Sequence, residues 1–126
     1  MAYKILIVED TKNLAAALQR KLSTAGYVCA LANSGEEALI LLHQNHYDLM
    51  LLDIVMPEVN GFQVLETLYI SNIKVPIIVL SNLVQEEQLQ DLHKYGVIDF
   101  FIKANLQLSS LLVYVDDFFK TIAVKI

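Results

Sequence analysis

What this chain has little of bounds what it can be. Its 126 residues contain one cysteine, two prolines and no long apolar run. A transmembrane helix needs roughly 18 or more consecutive apolar residues, and stretches such as "VPIIVL" (75–80) and "LMLL" (49–52) are far shorter and end in polar residues. No membrane association is therefore expected, despite a hydrophobic content of 56% and a mean hydropathy of +0.48. Cys29 has no second cysteine to pair with. In "YVCALA" it reads as a small apolar residue of a buried strand, with no basic neighbour to lower its pKa, and a reducing compartment, the cytoplasm, is expected. Basic residues are scarce too: 9 against 14 acidic ones leave a net charge of −5, which argues against direct nucleic-acid binding because such binding depends on neutralising phosphates. No basic segment precedes the first apolar run, so no signal peptide is expected and the mature protein should start near Met1. With no Pro/Gly/Ser linker and no repeat, residues 1–126 are expected to form one domain.

What is present is a set of short β-branched and leucine-rich runs: "YKILIV" (3–8), "DLMLL" (48–52), "VPIIVL" (75–80), "IDFFI" (98–102) and the weaker "YVCALA" (27–32). They are continuous and not alternating, as expected of strands buried on both faces of a parallel sheet. The segments between them carry helical period. Leu14, Leu18, Leu22 and Ala25 mark the first; Ala38, Leu39 and Leu42 follow the turn "NSGEE"; Phe62, Leu65, Leu68 and Tyr69 follow Gly61. Leu89 and Leu92 mark a fourth before "YG", and Leu108, Leu111, Leu112, Val115, Phe118 and Phe119 form a wide stripe on the last. Five strand-then-helix repeats predict an α/β fold, a doubly wound five-stranded parallel sheet with right-handed crossovers.

Ligands of open α/β sheets bind outside the carboxyl ends of the strands. The first run is followed there by Glu9 and Asp10, the "LMLL" run by Asp53, "IIVL" by Ser81 and "DFFI" by Lys103. Each alone has a plain reading as a helix cap, a turn residue or a solvated charge. Together they place three carboxylates, a hydroxyl and an ammonium at one edge. Close carboxylates repel by about 4 kcal/mol per pair at a surface-like dielectric, so the group calls for a hard cation. Mg2+ (or Mn2+) suits it, since Mg2+ prefers oxygen ligands and commonly joins one or two carboxylates to phosphate oxygens. A carboxylate can itself be the nucleophile that forms an aspartyl phosphate. Asp53, on the central strand, is the best candidate, with Glu9 and Asp10 serving the metal.

The motifs "ED" (9–10), "LLDIVMPEVNG" (51–61), "LSN" (80–82) and "FFIK" (100–103) resemble those of the response-regulator receiver domains of two-component phosphotransfer systems, over nearly the whole chain. The resemblance implies the flavodoxin-like or CheY-like (βα)5 fold with strand order 2-1-3-4-5. It implies that Asp53 is the phosphoacceptor, that Asp10 binds the metal directly and Glu9 mainly through water, and that the main-chain carbonyl of Val55 is a further ligand. Lys103 would pair with the phosphoryl group, Ser81 would hydrogen-bond it and move toward it, and Phe100 would be the aromatic switch. Pro57 and Gly61 would shape the loop after the acceptor, proline by fixing φ and glycine by tolerating positive φ. The implied phosphoryl donor is a sensor histidine kinase or phosphotransfer protein, and the implied receiver of the signal an output protein or effector domain.

Departures from the family pattern carry their own expectations. Ala104 stands where proline usually follows the lysine, and a non-proline cis bond costs about 2.5–4 kcal/mol, so a trans Lys103–Ala104 bond is expected. Asn82 replaces a small residue, and Val55 and Leu83 are apolar where polar side chains could orient an attacking water, which predicts a long-lived phosphoryl-aspartate. His43 and His46 lack a third ligand and, like His93, read as solvated or half-buried. Val113, Tyr114, Val124 and Ile126 lie outside the main stripe of the last helix, so a partner surface is expected there, with a homodimer through the last two helices and last strand one form of it. A phosphorylation-independent pseudo-receiver is the alternative reading. A phosphatase of the haloacid dehalogenase type would want an Asp at position 55, where this chain has Val55. A flavodoxin-like carrier would want a Gly-rich loop after the first strand.

Overall fold

The computed structural model describes residues 2–56, 59–82 and 92–124, with Val124 described by its backbone alone. Its elements are β1 (Lys4–Val8), α1 (Lys12–Thr24), β2 (Val28–Ala32), α2 (Gly35–Gln44), β3 (Leu49–Asp53), α3 (Gly61–Ile70), β4 (Ile77–Ser81), β5 (Val97–Ile102) and α4 (Leu108–Val124). Short 3-10 turns occupy Leu92–Tyr95 and Lys103–Asn105. The fourth helix expected around Leu89 lies mostly outside the described residues, as do Pro57 and Leu83. All pairings are parallel and the order is β2-β1-β3-β4-β5, which is the receiver-type order.

The continuous apolar runs sort by residue parity, because successive side chains of a strand point to opposite faces. Leu6, Val8, Met50, Leu52, Ile77 and Val79 face α2 and α3, where Ala38, Leu42, Val64, Leu65 and Leu68 complete one core. Ile5, Ile7, Leu49, Leu51, Ile78 and Leu80 face α1 and α4, where Leu18, Leu22, Leu111, Val115 and Phe119 complete the other. Burying one such side chain contributes about 1.5–3 kcal/mol. Leu51 and Leu52 therefore anchor β3 from both sides just before Asp53.

The strand ends are shifted from the sequence expectation. β3 and β4 each run one residue further, so Asp53 and Ser81 are the last strand residues and not the first loop residues. β4 starts at Ile77 because Pro76 has no N–H to donate, although its carbonyl still accepts from the Met50 N–H at 2.9 Å. Tyr27 precedes β2 and donates its hydroxyl to Asp116 of α4.

Two helices are fixed by caps. Ser34 accepts from the Glu37 N–H at 3.1 Å at the start of α2. At α3, Asn60 and Gln63 exchange side-chain and backbone hydrogen bonds of 3.1 and 2.8 Å, a reciprocal capping box. Gly61 does not adopt positive φ; Gly26 and Gly96 do. Gly61 is needed for close approach instead. A Cβ there would lie 2.5 Å from the Ile54 Cα and 2.9 Å from the Asp53 carbonyl oxygen, and its N–H donates to the Ile54 carbonyl at 2.8 Å.

Candidate functional site

The carboxyl ends of β1, β3 and β4, with the turn after β5, bring Glu9, Asp53, Ser81 and Lys103 to one edge of the sheet. Glu9 and Ser81 are 0% exposed and Asp53 2%, while Asp10 stands exposed at the rim. The Glu9 N–H continues the β1–β2 ladder by donating to the Ala32 carbonyl at 3.0 Å. That contact turns the Glu9 side chain inward.

Lys103 ties the cluster together. Its Nζ donates to Glu9 Oε1 at 2.8 Å and to Asp53 Oδ2 at 3.2 Å. Asp53 Oδ1 accepts from the Val55 N–H at 3.1 Å, and Glu9 Oε1 also accepts from the Thr11 N–H at 3.1 Å. Glu9 Oε2 is buried and has no hydrogen-bond partner among the described residues. A buried carboxylate oxygen left in that state is costly unless a cation or water completes it.

The charges bear on one another. Burial pushes the Asp53 carboxyl up from its ordinary 3.8 to about 6; the Glu9 charge adds to the rise, and Lys103 and the Val55 N–H oppose it. Burial works against the Lys103 charge, yet the hydrogen bond to Glu9 and the nearby Asp53 charge leave its pKa above the ordinary value.

Glu9, Asp10 and Asp53 each offer an oxygen, all within 4.8 Å of one another. Three carboxylates against one ammonium leave a formal charge of −2, which a single dication would balance. An all-oxygen donor set with an orphaned buried carboxylate oxygen fits Mg2+, a hard ion that takes oxygen ligands.

Not every candidate enters this cluster. Phe100 sits on β5 opposite Val79, two residues short of the Ser81–Ile102 pair, and is 36% exposed. The Val55 side chain is exposed, and this residue reaches Asp53 through its backbone N–H. Tyr114 is not a free surface residue: it is half-buried and meets Phe101 edge-on at 5.3 Å. Val113 of the same helix is exposed; Ile126 and the Val124 side chain lie outside the described residues. His43 Nδ1 contacts the Leu39 carbonyl of its own helix and His46 pairs with Asp48, both on the surface. Burial pushes the half-buried Cys29 thiol up to about 11, consistent with an inert packing residue.

Sequence reasoning missed two contacts. The Thr11 N–H steadies Glu9, and Asn82 Oδ1 accepts from the Ala104 N–H at 2.6 Å. No spacing signal could reveal the second, which joins residues of different loops. No cis peptide bond occurs among the described residues, so Lys103–Ala104 is trans as expected.

The response regulator receiver domain family matches residues 5–116. The chain belongs to that family. Receiver domains are regulatory modules of two-component systems and bind Mg2+ at an acidic pocket, and Glu9, Asp10 and Asp53 form such a group here. The transcriptional regulatory protein CusR of Escherichia coli is 36% identical over 100 residues, which are 79% of this chain and 44% of that protein. The chain thus spans less than half the length of this relative. The receiver domain of the Francisella response regulator 1452 superposes with a TM-score of 0.85 at 31% identity, covering 94% of this chain and 98% of that one. The response regulator TrrA of Thermotoga maritima, in complex with Mg2+ and BeF, gives 0.76 at 29% identity, covering 91% and 97%. Among the described residues no helix is long and apolar enough to cross a membrane.

Proposed function

We propose that this receiver domain accepts a phosphoryl group on Asp53 from a phosphohistidine of a sensor kinase or phosphotransfer protein, and passes the resulting conformational change to an output protein or effector domain. The observation that carries this reading is the state of Asp53: a buried carboxylate at the end of the central strand, held by the Val55 N–H on one oxygen and by Lys103 on the other. A carboxylate so held is positioned and largely ionised at neutral pH, with its pKa near 6.

In the transfer, an Asp53 oxygen bonds to phosphorus as the P–N bond of the phosphohistidine breaks, and the imidazole nitrogen leaves with the electron pair. Catalysis then rests on positioning and electrostatics. Glu9, Asp10, Asp53 and the Val55 carbonyl would hold Mg2+, Asp10 directly and Glu9 mainly through water; the ion supplies charge neutralisation for the incoming phosphoryl oxygens. Lys103 moves its ammonium from the Asp53 carboxylate to a phosphoryl oxygen, and the Ser81 hydroxyl donates to another. Phe100, outward at the β5 edge, is the aromatic group whose rotation would report the shift of Ser81. The exposed Val113 face of α4, with β5, is the surface offered to a partner or a second copy. A cytoplasmic setting agrees with the free thiol of Cys29.

Incubation with acetyl phosphate and Mg2+, followed by intact mass measurement, tests the reading. A gain of about 80 Da, one phosphoryl group, is expected for wild type and not for Asp53→Asn. Unmodified wild type would instead favour a phosphorylation-independent pseudo-receiver.

A further inference from the structure

The sheet's β4–β5 ladder ends at the pair Ser81 and Ile102. The next residues of the two strands, Asn82 and Lys103, lead into separate segments beyond that last rung. The Asn82 side chain adds a link past it: its Oδ1 accepts from the Ala104 N–H at 2.6 Å. Proline at 104 would have no N–H to donate, so the contact requires a residue other than proline there.

We propose that Asn82 is a positioning residue, a clasp through the Ala104 amide that fixes the backbone carrying Lys103 relative to the backbone carrying Ser81. The proposal rests on the phosphoacceptor reading. Asn82 directly follows Ser81 and Ala104 directly follows Lys103, so the clasp joins the end of β4, which supplies the hydroxyl, to the turn after β5, which supplies the ammonium to the same phosphoryl group. Lys103 carries its charge on a flexible four-carbon stem, and its reach to Asp53 and Glu9 depends on where its backbone is held. The clasp supplies at 104 a fixed point that a ring would otherwise give. It also makes the shift of Ser81 toward a phosphoryl group draw Ala104 along, so that hydroxyl and ammonium close on the group together.

The test compares wild type and Asn82→Ala by amide NMR and by binding of beryllium fluoride, a phosphoryl mimic, in the presence of Mg2+. In the variant, the Ala104 amide proton should shift upfield and exchange faster with solvent while the thermal midpoint falls by only a few degrees, roughly the loss of one exposed hydrogen bond. Beryllium fluoride affinity should fall about 2- to 5-fold, the span expected for one exposed hydrogen bond. Ala104→Pro, which removes the same donor, should cancel any further effect of Asn82→Ala in the double variant. An Ala104 amide indifferent to the substitution, or an affinity unchanged once that contact is lost, overturns the clasp alone. A wild type that takes up neither beryllium fluoride nor phosphoryl label overturns the phosphoacceptor reading, and with it the clasp's part in the site.

Discussion

Asp53 is held in a form that the fold disfavours. Its carboxyl titrates near 6 in the folded protein against an ordinary 3.8, so between those values the folded state binds more protons than the unfolded one. Stability then falls as pH rises through that window, and the penalty is complete above it. Metal-free Asp53→Asn should therefore be more stable than wild type by about 1–3 kcal/mol at pH 7.5. The gain should vanish below about pH 3, where Asp53 is protonated in both states, and shrink when Mg2+ is added; urea titrations at three pH values check this. Lys103 works in the opposite direction. Without its ammonium, Glu9 and Asp53 face each other buried, and removing one partner of a buried ion pair costs about 3–5 kcal/mol. Lys103→Met should lose close to the lower figure at pH 8 in the absence of Mg2+, and less at pH 5, where Asp53 can take up a proton. Val55 bears on the product. Its exposed apolar side chain stands beside Asp53 and offers nothing to orient a water, so the phosphoryl-aspartate should persist for minutes or longer. Loss of label from purified phosphoprotein within seconds would show that reading to be wrong.

Among the elements, α3 shows how a local signal and a hidden constraint combine. Gly61→Ala should improve intrinsic helix propensity, yet the new Cβ would press on the Ile54 Cα and the Asp53 carbonyl oxygen, both backbone atoms that cannot yield cheaply. A loss of about 1–3 kcal/mol in urea unfolding is expected, as for other overpacked sites, together with slower phosphorylation because the acceptor's own peptide is displaced. The strands and α1, α2 and α3 were legible because continuous apolar runs and 3.6-residue stripes leave few alternatives, and the "NSGEE" turn marked where α2 begins. The β4 start was misplaced because apolar content hides the missing donor of Pro76. Gly61 was picked out for the wrong reason, since a close approach between segments has no local signature whereas positive φ is the usual one. The candidate site was legible as a set, Glu9, Asp10, Asp53, Ser81 and Lys103, because strand ends of a parallel sheet converge by topology. Its internal wiring was not: that Lys103 bridges Glu9 and Asp53, and that Asn82 meets Ala104, depends on side-chain reach across loops. Tyr114 likewise read as a surface group until its packing on Phe101 was seen.

For the whole molecule, ion binding and folding are linked. A dication that finds Glu9, Asp10 and Asp53 together only in the folded chain stabilises it by mass action, about 2.7 kcal/mol at a hundredfold excess over Kd. The thermal midpoint should rise with Mg2+ concentration and should hardly respond in Asp53→Asn; calorimetry across a Mg2+ series decides. Two apolar layers, one on each face of the sheet, mean that this stabilisation spreads through both sets of helices. On the β1 and α3 side, Asp53 abuts fully buried strand residues and a glycine with no room for one more carbon. On the other side lies β4, equally buried, and beyond it the outermost strand, β5, has exposed residues at Phe100 and Ile102. On the proposed reading, the tight seat of Gly61 is a backstop: it leaves the peptide of Asp53 no room to retreat toward α3.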